Sequence, residues 1–210
     1  MTGQAAIAAG VRPSAAAGQR LGTTQATGLW VFIGVATTLF SLFIVAYVMR
    51  MSERDATAIA MPWQLWLSTA WLLAGGVLLQ RASLQMARDG GGRGLFLAGG
   101  ACALAFIVVQ WWAWQAMLDR RVSLQGGPAG SFFYLLTAMH ALHVAGGLVA
   151  WWVTLRSWPR LGAAINPDWR PALCARYWHF LLLVWLALFA VQALITPELA
   201  SLLCGRRPSP

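Results

Sequence analysis

Residues 131–152 read SFFYLLTAMHALHVAGGLVAWW and contain no Lys, Arg, Asp or Glu. An apolar segment of about 20 residues is long enough to cross a hydrocarbon core of about 30 Å as an α-helix. The same stretch carries two histidines, His140 and His143. An imidazole at membrane depth usually faces the interior of a helical bundle, so this stretch predicts a membrane fold and a first candidate site.

Further apolar segments of similar length lie on both sides of this one. Hydrophobic residues make up 59% of the 210 positions and charged residues 10%, a composition that favours a chain solvated by lipid. The apolar and polar alternation of a membrane β-barrel is absent from the sequence. We therefore predict an all-α, polytopic membrane bundle of five transmembrane helices, at about 28–49, 62–80, 94–118, 131–155 and 176–195.

The five segments are predicted to form one membrane domain, residues 28–195. Residues 1–27 lack a sustained apolar core and an obvious cleavage site, so we predict a disordered cytoplasmic tail and no signal peptide. Residues 196–210 are predicted to be a C-terminal tail. The connections between helices are short, which leaves no room for a soluble module.

All 15 basic residues are arginine, and the net charge is +9. In a five-helix arrangement nine arginines fall on the side of the N-terminus and six on the other side, so the positive-inside rule predicts a cytoplasmic N-terminus and an outside C-terminus. The arginines form no basic run, which favours loop anchoring over nucleic-acid binding. The nine are Arg12, Arg20, Arg81, Arg88, Arg93, Arg156, Arg160, Arg170 and Arg176, and the six are Arg50, Arg54, Arg120, Arg121, Arg206 and Arg207.

Two sets of residues are explained by packing. Tryptophans near the predicted helix ends are typical of an aromatic belt at the headgroup level. Paired glycines inside the spans allow helix backbones to approach closely. The tryptophans are Trp30, Trp63, Trp66, Trp111, Trp112, Trp114, Trp151, Trp152 and Trp178, and the pairs are Gly75-Gly76, Gly99-Gly100 and Gly146-Gly147. The scattered cysteines indicate neither a zinc site nor a disulfide framework.

Polar side chains inside the spans are the candidates for function. The principal ones are His140, His143, His179, Gln110, Thr137 and Tyr134. One interpretation is structural: neutral imidazoles that hydrogen-bond neighbouring helices, each bond contributing about 1 kcal/mol or less. No catalytic residue is predicted.

A haem or metal site is the second interpretation, because neutral imidazole is the commonest metal ligand. His140 and His143 share one helix face and would not ligate one haem from opposite sides. His143 and His179 would differ in depth by about 10 Å at 1.5 Å per residue, which disfavours a shared haem. A proton relay is the third interpretation, but relays normally include Asp or Glu, and the spans contain neither.

Three of the segments carry recognisable motifs. The first motif includes Phe132, Phe133, His140, His143 and Gly146; the second includes Tyr177, Trp178, His179, Phe180 and Trp185; the first helix contributes Trp30, Tyr47 and Arg50. These motifs resemble those of subunit III of haem-copper terminal oxidases. The resemblance runs in order over about 28–195, and the two histidine-bearing motifs are its most specific part.

The resemblance implies a short, five-helix form of subunit III, a multi-pass protein of the bacterial cytoplasmic (inner) membrane. Such a subunit carries no haem, copper or other metal of its own. It packs against the catalytic subunit I, with subunit II in the same complex, binds phospholipid, and supports sustained turnover and proton uptake. The choice of cytochrome c or quinol as electron donor would lie in subunit II.

The chain departs from the family at three positions where the family usually has intramembrane acids. Ala36, Ala113 and Leu182 occupy these positions. Without a counter-charge, desolvation is expected to keep the histidines neutral, so any proton-handling role of those acids would be lost or weakened. Two alternatives to an oxidase subunit stay open: a subunit III-like accessory protein of a nitric oxide reductase, and a stand-alone b-type haem protein.

Overall fold

The computed structural model describes residues 15–53, 61–120, 128–161 and 169–203. In this part of the chain all regular structure is helical, which confirms the all-α prediction. The helices are α1 (Ala15–Met51), α2 (Gln64–Asp89), α3 (Arg93–Asp119), α4 (Pro128–Leu161), α5 (Arg170–Leu194) and α6 (Pro197–Leu203).

Most helices continue beyond the predicted apolar segments. α1 begins at Ala15, so residues 15–27 of the predicted disordered tail are helical, and α6 lies in the predicted C-terminal tail. Apolar residues indicate only the part of a helix that suits lipid. A helix can continue beyond that part, and alanines such as Ala15 to Ala17 favour this because of their high helix propensity. Residues 1–14 and 204–210, and with them Arg12, Arg206 and Arg207, lie outside the described residues, as do Arg54 and Arg121.

Four of the described helices are long and apolar enough to cross a membrane. The spans are Thr23–Met51, Arg93–Asp119, Gly130–Trp158 and Arg170–Leu194. The second predicted span forms α2, which is 26 residues long but is not among these four. Its polar residues, such as Gln64, Ser68 and Arg81, lower its hydropathy. The count of five spans and the orientation of the chain stay predictions.

The core of the bundle lies between α2, α3, α4 and α5. α2 turns sharply into α3 through Gly90 and Gly92, whose φ angles of 74° and 93° suit only glycine well. α2 therefore runs antiparallel to α3 and also packs on α5, while α4 packs on α3 and α5. α1 lies outside this core against α4, α5 and α6, and its span is mostly exposed.

Candidate functional site

His140 is at the centre of the described bundle and is fully buried, with 0% of its surface exposed. Its ring is surrounded by the rings of Trp185, Phe106 and Phe40, with centroids 5.1, 5.7 and 6.4 Å away. Within the described residues neither ring nitrogen has a hydrogen-bond partner. His140 therefore meets α1, α3 and α5 through aromatic contact.

His143 and His179 bond to their own helices. The Nδ1–H of His143 donates to the carbonyl oxygen of Met139 at 2.7 Å, and that of His179 donates to the carbonyl oxygen of Ala175 at 2.7 Å. A carbonyl oxygen only accepts, so these contacts place the proton on Nδ1. These two bonds each lie within one helix, so hydrogen bonds from these imidazoles to neighbouring helices stay a prediction. His143 instead contacts α1 through the ring of Phe40, 5.1 Å away.

Hydroxyl groups take part in three hydrogen bonds that join neighbouring helices. Thr137 Oγ1 accepts from Trp114 Nε1–H of α3 at 3.0 Å, and Tyr177 O–H of α5 donates to the carbonyl oxygen of His143 at 2.9 Å. Thr69 Oγ1 of α2 accepts from Trp185 Nε1–H of α5 at 2.8 Å. Thr69 was not among the predicted site residues. A buried tryptophan needs an acceptor, which is a usable signal, but the sequence does not say which helix supplies it.

Gln110 is buried on α3, and 2% of its surface is exposed. Both polar atoms of its amide lack a hydrogen-bond partner among the described residues. Tyr134 is also buried, and its ring contacts those of Phe133 at 5.3 Å and Trp114 at 6.2 Å. The predicted polar residues of α3 and α4 therefore share one interior region, whereas His179 is half-buried on α5.

The remaining motif residues differ in how far they are buried. Buried members are Tyr47, Phe133, Tyr177, Trp178 and Trp185; half-buried ones are Arg50, Phe132 and Phe180; Trp30 and Gly146 are exposed. The positions that lack the family acids are Ala36 and Ala113, both buried, and the half-buried Leu182. Ala36 lies one helical turn from Phe32 and from Phe40, which both contact the ring of His143.

The aromatic-belt interpretation is wrong for two tryptophans. Trp178 is buried, and Trp151, 8% exposed, donates its Nε1–H to the carbonyl oxygen of Phe96 at 2.8 Å. Both lie near the end of a predicted span, but the helices continue well beyond those ends, and position along the chain does not fix the face on which a side chain lies. Six other members of the set are exposed, namely Trp30, Trp63, Trp66, Trp111, Trp112 and Trp152.

An apolar cleft of about 650 Å³ lies between α1, α4 and α5. Its lining residues are Gln25, Leu29, Phe32, Gly146, Ala150, Val153, Thr154, Trp169, Arg170, Leu173, Cys174 and Tyr177. Gly146 opens the wall, since a Cβ there would meet nothing within 4 Å. At one end Arg170 lies over the ring of Trp169, 5.7 Å from its centroid. A cleft of this composition suits an acyl chain with an anionic head at the arginine.

No group of three or more His, Cys, Asp or Glu side chains in the part of the chain that the structure describes could hold a metal ion. The histidines that come together, His140 and His143, meet through the ring of Phe40, which contacts both. The site geometry is thus that of a packed aromatic interior that contains a few buried polar groups.

Comparison with known proteins gives one family and several bacterial relatives. The family model "Cytochrome c oxidase subunit III" matches residues 27–194. A "Probable cytochrome c oxidase subunit 3" of Mycobacterium tuberculosis is 36% identical over 91 residues, which are 42% of this chain and 43% of the relative. A "Cytochrome bo(3) ubiquinol oxidase subunit 3" of Pseudomonas aeruginosa is 37% identical over 67 residues, 31% of each chain.

The matched stretches thus span less than half the length of these curated relatives. The family model, in contrast, extends from within α1 to the last residue of α5 and includes both histidine motifs. By this match, the chain belongs to the cytochrome c oxidase subunit III family.

Proposed function

We propose that this chain is the non-catalytic subunit III of an aerobic haem-copper terminal oxidase in a bacterial inner membrane. In this role it packs against subunit I, in a complex that includes subunit II, binds phospholipid, and supports the stability and sustained turnover of electron transfer to oxygen. The observation that carries the proposal is the family match over residues 27–194, which coincides with the bundle of α1 to α5. Haem and copper would belong to the partner subunits.

In the proposed topology five helices cross the membrane, with the N-terminus inside and the C-terminus outside. α2 supports this count because it packs along two spans at well-separated levels. Trp66 contacts Phe189 of α5 at 4.8 Å, and the backbone at Gly75 lies against Gly99 and Cys102 of α3. A helix in contact with two spans along its length crosses with them. The nine-to-six distribution of arginines supports the orientation.

The cleft between α1 and α4–α5 is the proposed phospholipid site. Leu29, Phe32 and Leu173 supply apolar walls for an acyl chain. Arg170 begins α5 at the end of a span, where its guanidinium would meet a lipid phosphate. The roles of the interior polar residues are structural in this proposal, with His140, Thr137 and Tyr177 helping to fix how the helices pack.

Co-purification tests the proposed complex. An affinity tag on this chain, with an untagged strain as control, should recover haem-copper oxidase subunits I and II from native membranes in mild detergent. Recovery of a nitric oxide reductase without an oxidase subunit I would contradict the proposal and favour the accessory-protein alternative. A stoichiometric b-type haem spectrum from this chain alone would favour the stand-alone haem protein.

Filling the cleft tests the lipid site. We expect Gly146→Leu to lower the phospholipid retained by the purified complex and to speed the decay of turnover, while initial turnover is unchanged. Gly34→Leu is the matched control, because Gly34 also has open space at its Cβ but does not line the cleft. Mass spectrometry of bound lipid is the readout. Equal lipid retention by both variants would contradict this site.

A further inference from the structure

Several buried polar atoms without partners lie in the same half of the bundle. Within the described residues these are Nδ1 and Nε2 of His140, Nε2 and Oε1 of Gln110, Oε1 of Gln64 and Oε1 of Gln192. All four side chains are buried. Leaving a buried donor or acceptor unsatisfied costs about 1–3 kcal/mol per group. A cluster of such groups in a packed interior therefore indicates a bound polar partner.

Gln110 and His140 face each other across α3 and α4. One turn before Gln110, Phe106 contacts the ring of His140 at 5.7 Å. One turn after it, Trp114 donates to Thr137 at 3.0 Å. Gln110 lies between these two contacts on the same face of α3, so its amide is opposite the turn of α4 that runs from Thr137 to His140.

The two remaining glutamines, Gln64 and Gln192, lie at the same end of the bundle, close to one membrane surface. The exposed rings of Trp63 and Trp112 contact each other, with centroids 5.2 Å apart. The beginning of α2 therefore lies at the same depth in the bundle as residue 112 of α3. Gln64 is therefore within about one turn of the level of Gln110, at 1.5 Å per residue. Because α2 and α5 are antiparallel, Gln192 near the end of α5 lies at the same end of the bundle.

Water is the ligand that fits these groups. An imidazole and a primary amide together offer donors and acceptors on both sides, as a water molecule requires, and buried waters typically make about three hydrogen bonds to such groups. Ala113, buried three residues after Gln110, carries only a methyl group and offers the amide no hydrogen-bond partner of its own. We infer that ordered water molecules bind between His140 and Gln110, and that Gln64 and Gln192 form a polar path from this site to the membrane surface near Trp63.

Magnetisation transfer from water to the imidazoles tests the site. The chain has only three histidines, so the protein labelled with 15N-histidine and reconstituted in vesicles gives three pairs of ring nitrogen signals, which single-histidine substitutions assign. We expect His140, although fully buried, to receive magnetisation from water. Gln110→Leu should slow that transfer severalfold. Gln115→Leu is the control, since Gln115 is exposed on the same helix.

Two results of this experiment would overturn the inference. Absence of transfer to His140 in the wild-type protein would overturn the inference, and this measurement needs no variant to fold. Transfer that is unchanged by Gln110→Leu would also overturn it, because the amide would then hold no water. A high-resolution cryo-electron microscopy map of the complex is the second measurement. Water density between the two side chains would support the inference, and a direct bond between His140 and Gln110 would refute it.

Discussion

The pairs Gly99-Gly100 and Gly146-Gly147 have the same sequence, but both glycines of the first pair lie in close contacts, whereas Gly146 of the second pair faces open space. A Cβ at Gly99 would lie 2.6 Å from Leu79 Cγ, and one at Gly100 would overlap the indole of Trp151. A Cβ at Gly146 would meet nothing within 4 Å. The first pair lets α3 pack tightly on α2 and α4, whereas Gly146 leaves space in the wall of a cleft. Paired glycines in a membrane helix thus create either close contact or an opening, depending on what lies opposite.

Gly100→Ala should have the largest effect on the tight region. The added methyl displaces Trp151, and overpacking typically costs about 1–3 kcal/mol. The hydrogen bond from Trp151 to the carbonyl oxygen of Phe96 would also be lost, at about 1 kcal/mol. We expect a loss of about 3 kcal/mol in the free energy of unfolding, or failure of the protein to accumulate. Thermal unfolding in lipid nanodiscs is the measurement.

The matched control is Gly146→Ala. Here the open space accepts the methyl, and alanine is favoured over glycine in a helix by about 1 kcal/mol, so the stability should be unchanged or slightly higher. Similar destabilisation by both substitutions would remove the distinction between the two glycine pairs.

His140→Ala probes the interior where α1 meets the tight core. The change leaves a cavity between Phe40, Phe106 and Trp185, and truncation of a large buried side chain costs about 2–5 kcal/mol. We therefore expect a loss of about 2 kcal/mol or more in the free energy of unfolding. In the proposed complex, assembly should fall while initial turnover per assembled haem stays normal.

His143→Ala is the companion variant, because this half-buried imidazole bonds only to its own helix and faces α1. It should lower stability less than His140→Ala does. Normal assembly of His140→Ala with a large fall in initial turnover would contradict a structural role for the buried imidazole.

The sequence predicted which segments are helical because runs of apolar residues are a local property. It predicted α2 only as far as residue 80, whereas the helix continues to Asp89 through polar residues such as Arg81 and Arg88, which a search for apolar residues excludes. Likewise Trp151 has the position of a belt residue but the contacts of a core residue. Which face a residue occupies depends on the partners of its helix, and those are set by the whole bundle.

The candidate site shows the same division between local and non-local information. Polar residues such as His140 and Gln110 were found directly, because a polar group in an apolar run is conspicuous, although Thr69 in the second predicted span was not selected. Their partners were not, since Thr69 and Trp185 lie far apart in the sequence and are joined only by the antiparallel packing of α2 and α5. The sequence did not predict the open cleft either, because the cleft depends on how α1 packs against α4 and α5.

Thr69→Val should have the smallest effect on the free energy of unfolding. It tests how much a single hydrogen bond contributes to the tightly packed region. Valine keeps the shape of threonine but removes the oxygen that accepts from Trp185 Nε1–H in the core. The indole donor would stay buried without its acceptor, so we expect a loss of about 1 kcal/mol. Thr37→Val is the control, because the exposed Thr37 hydroxyl bonds only to its own helix, at the carbonyl oxygen of Ile33, and its removal should leave stability unchanged. Equal effects of the two variants on thermal unfolding would mean that the bond between α5 and α2 adds nothing beyond the local preference for valine in a membrane helix.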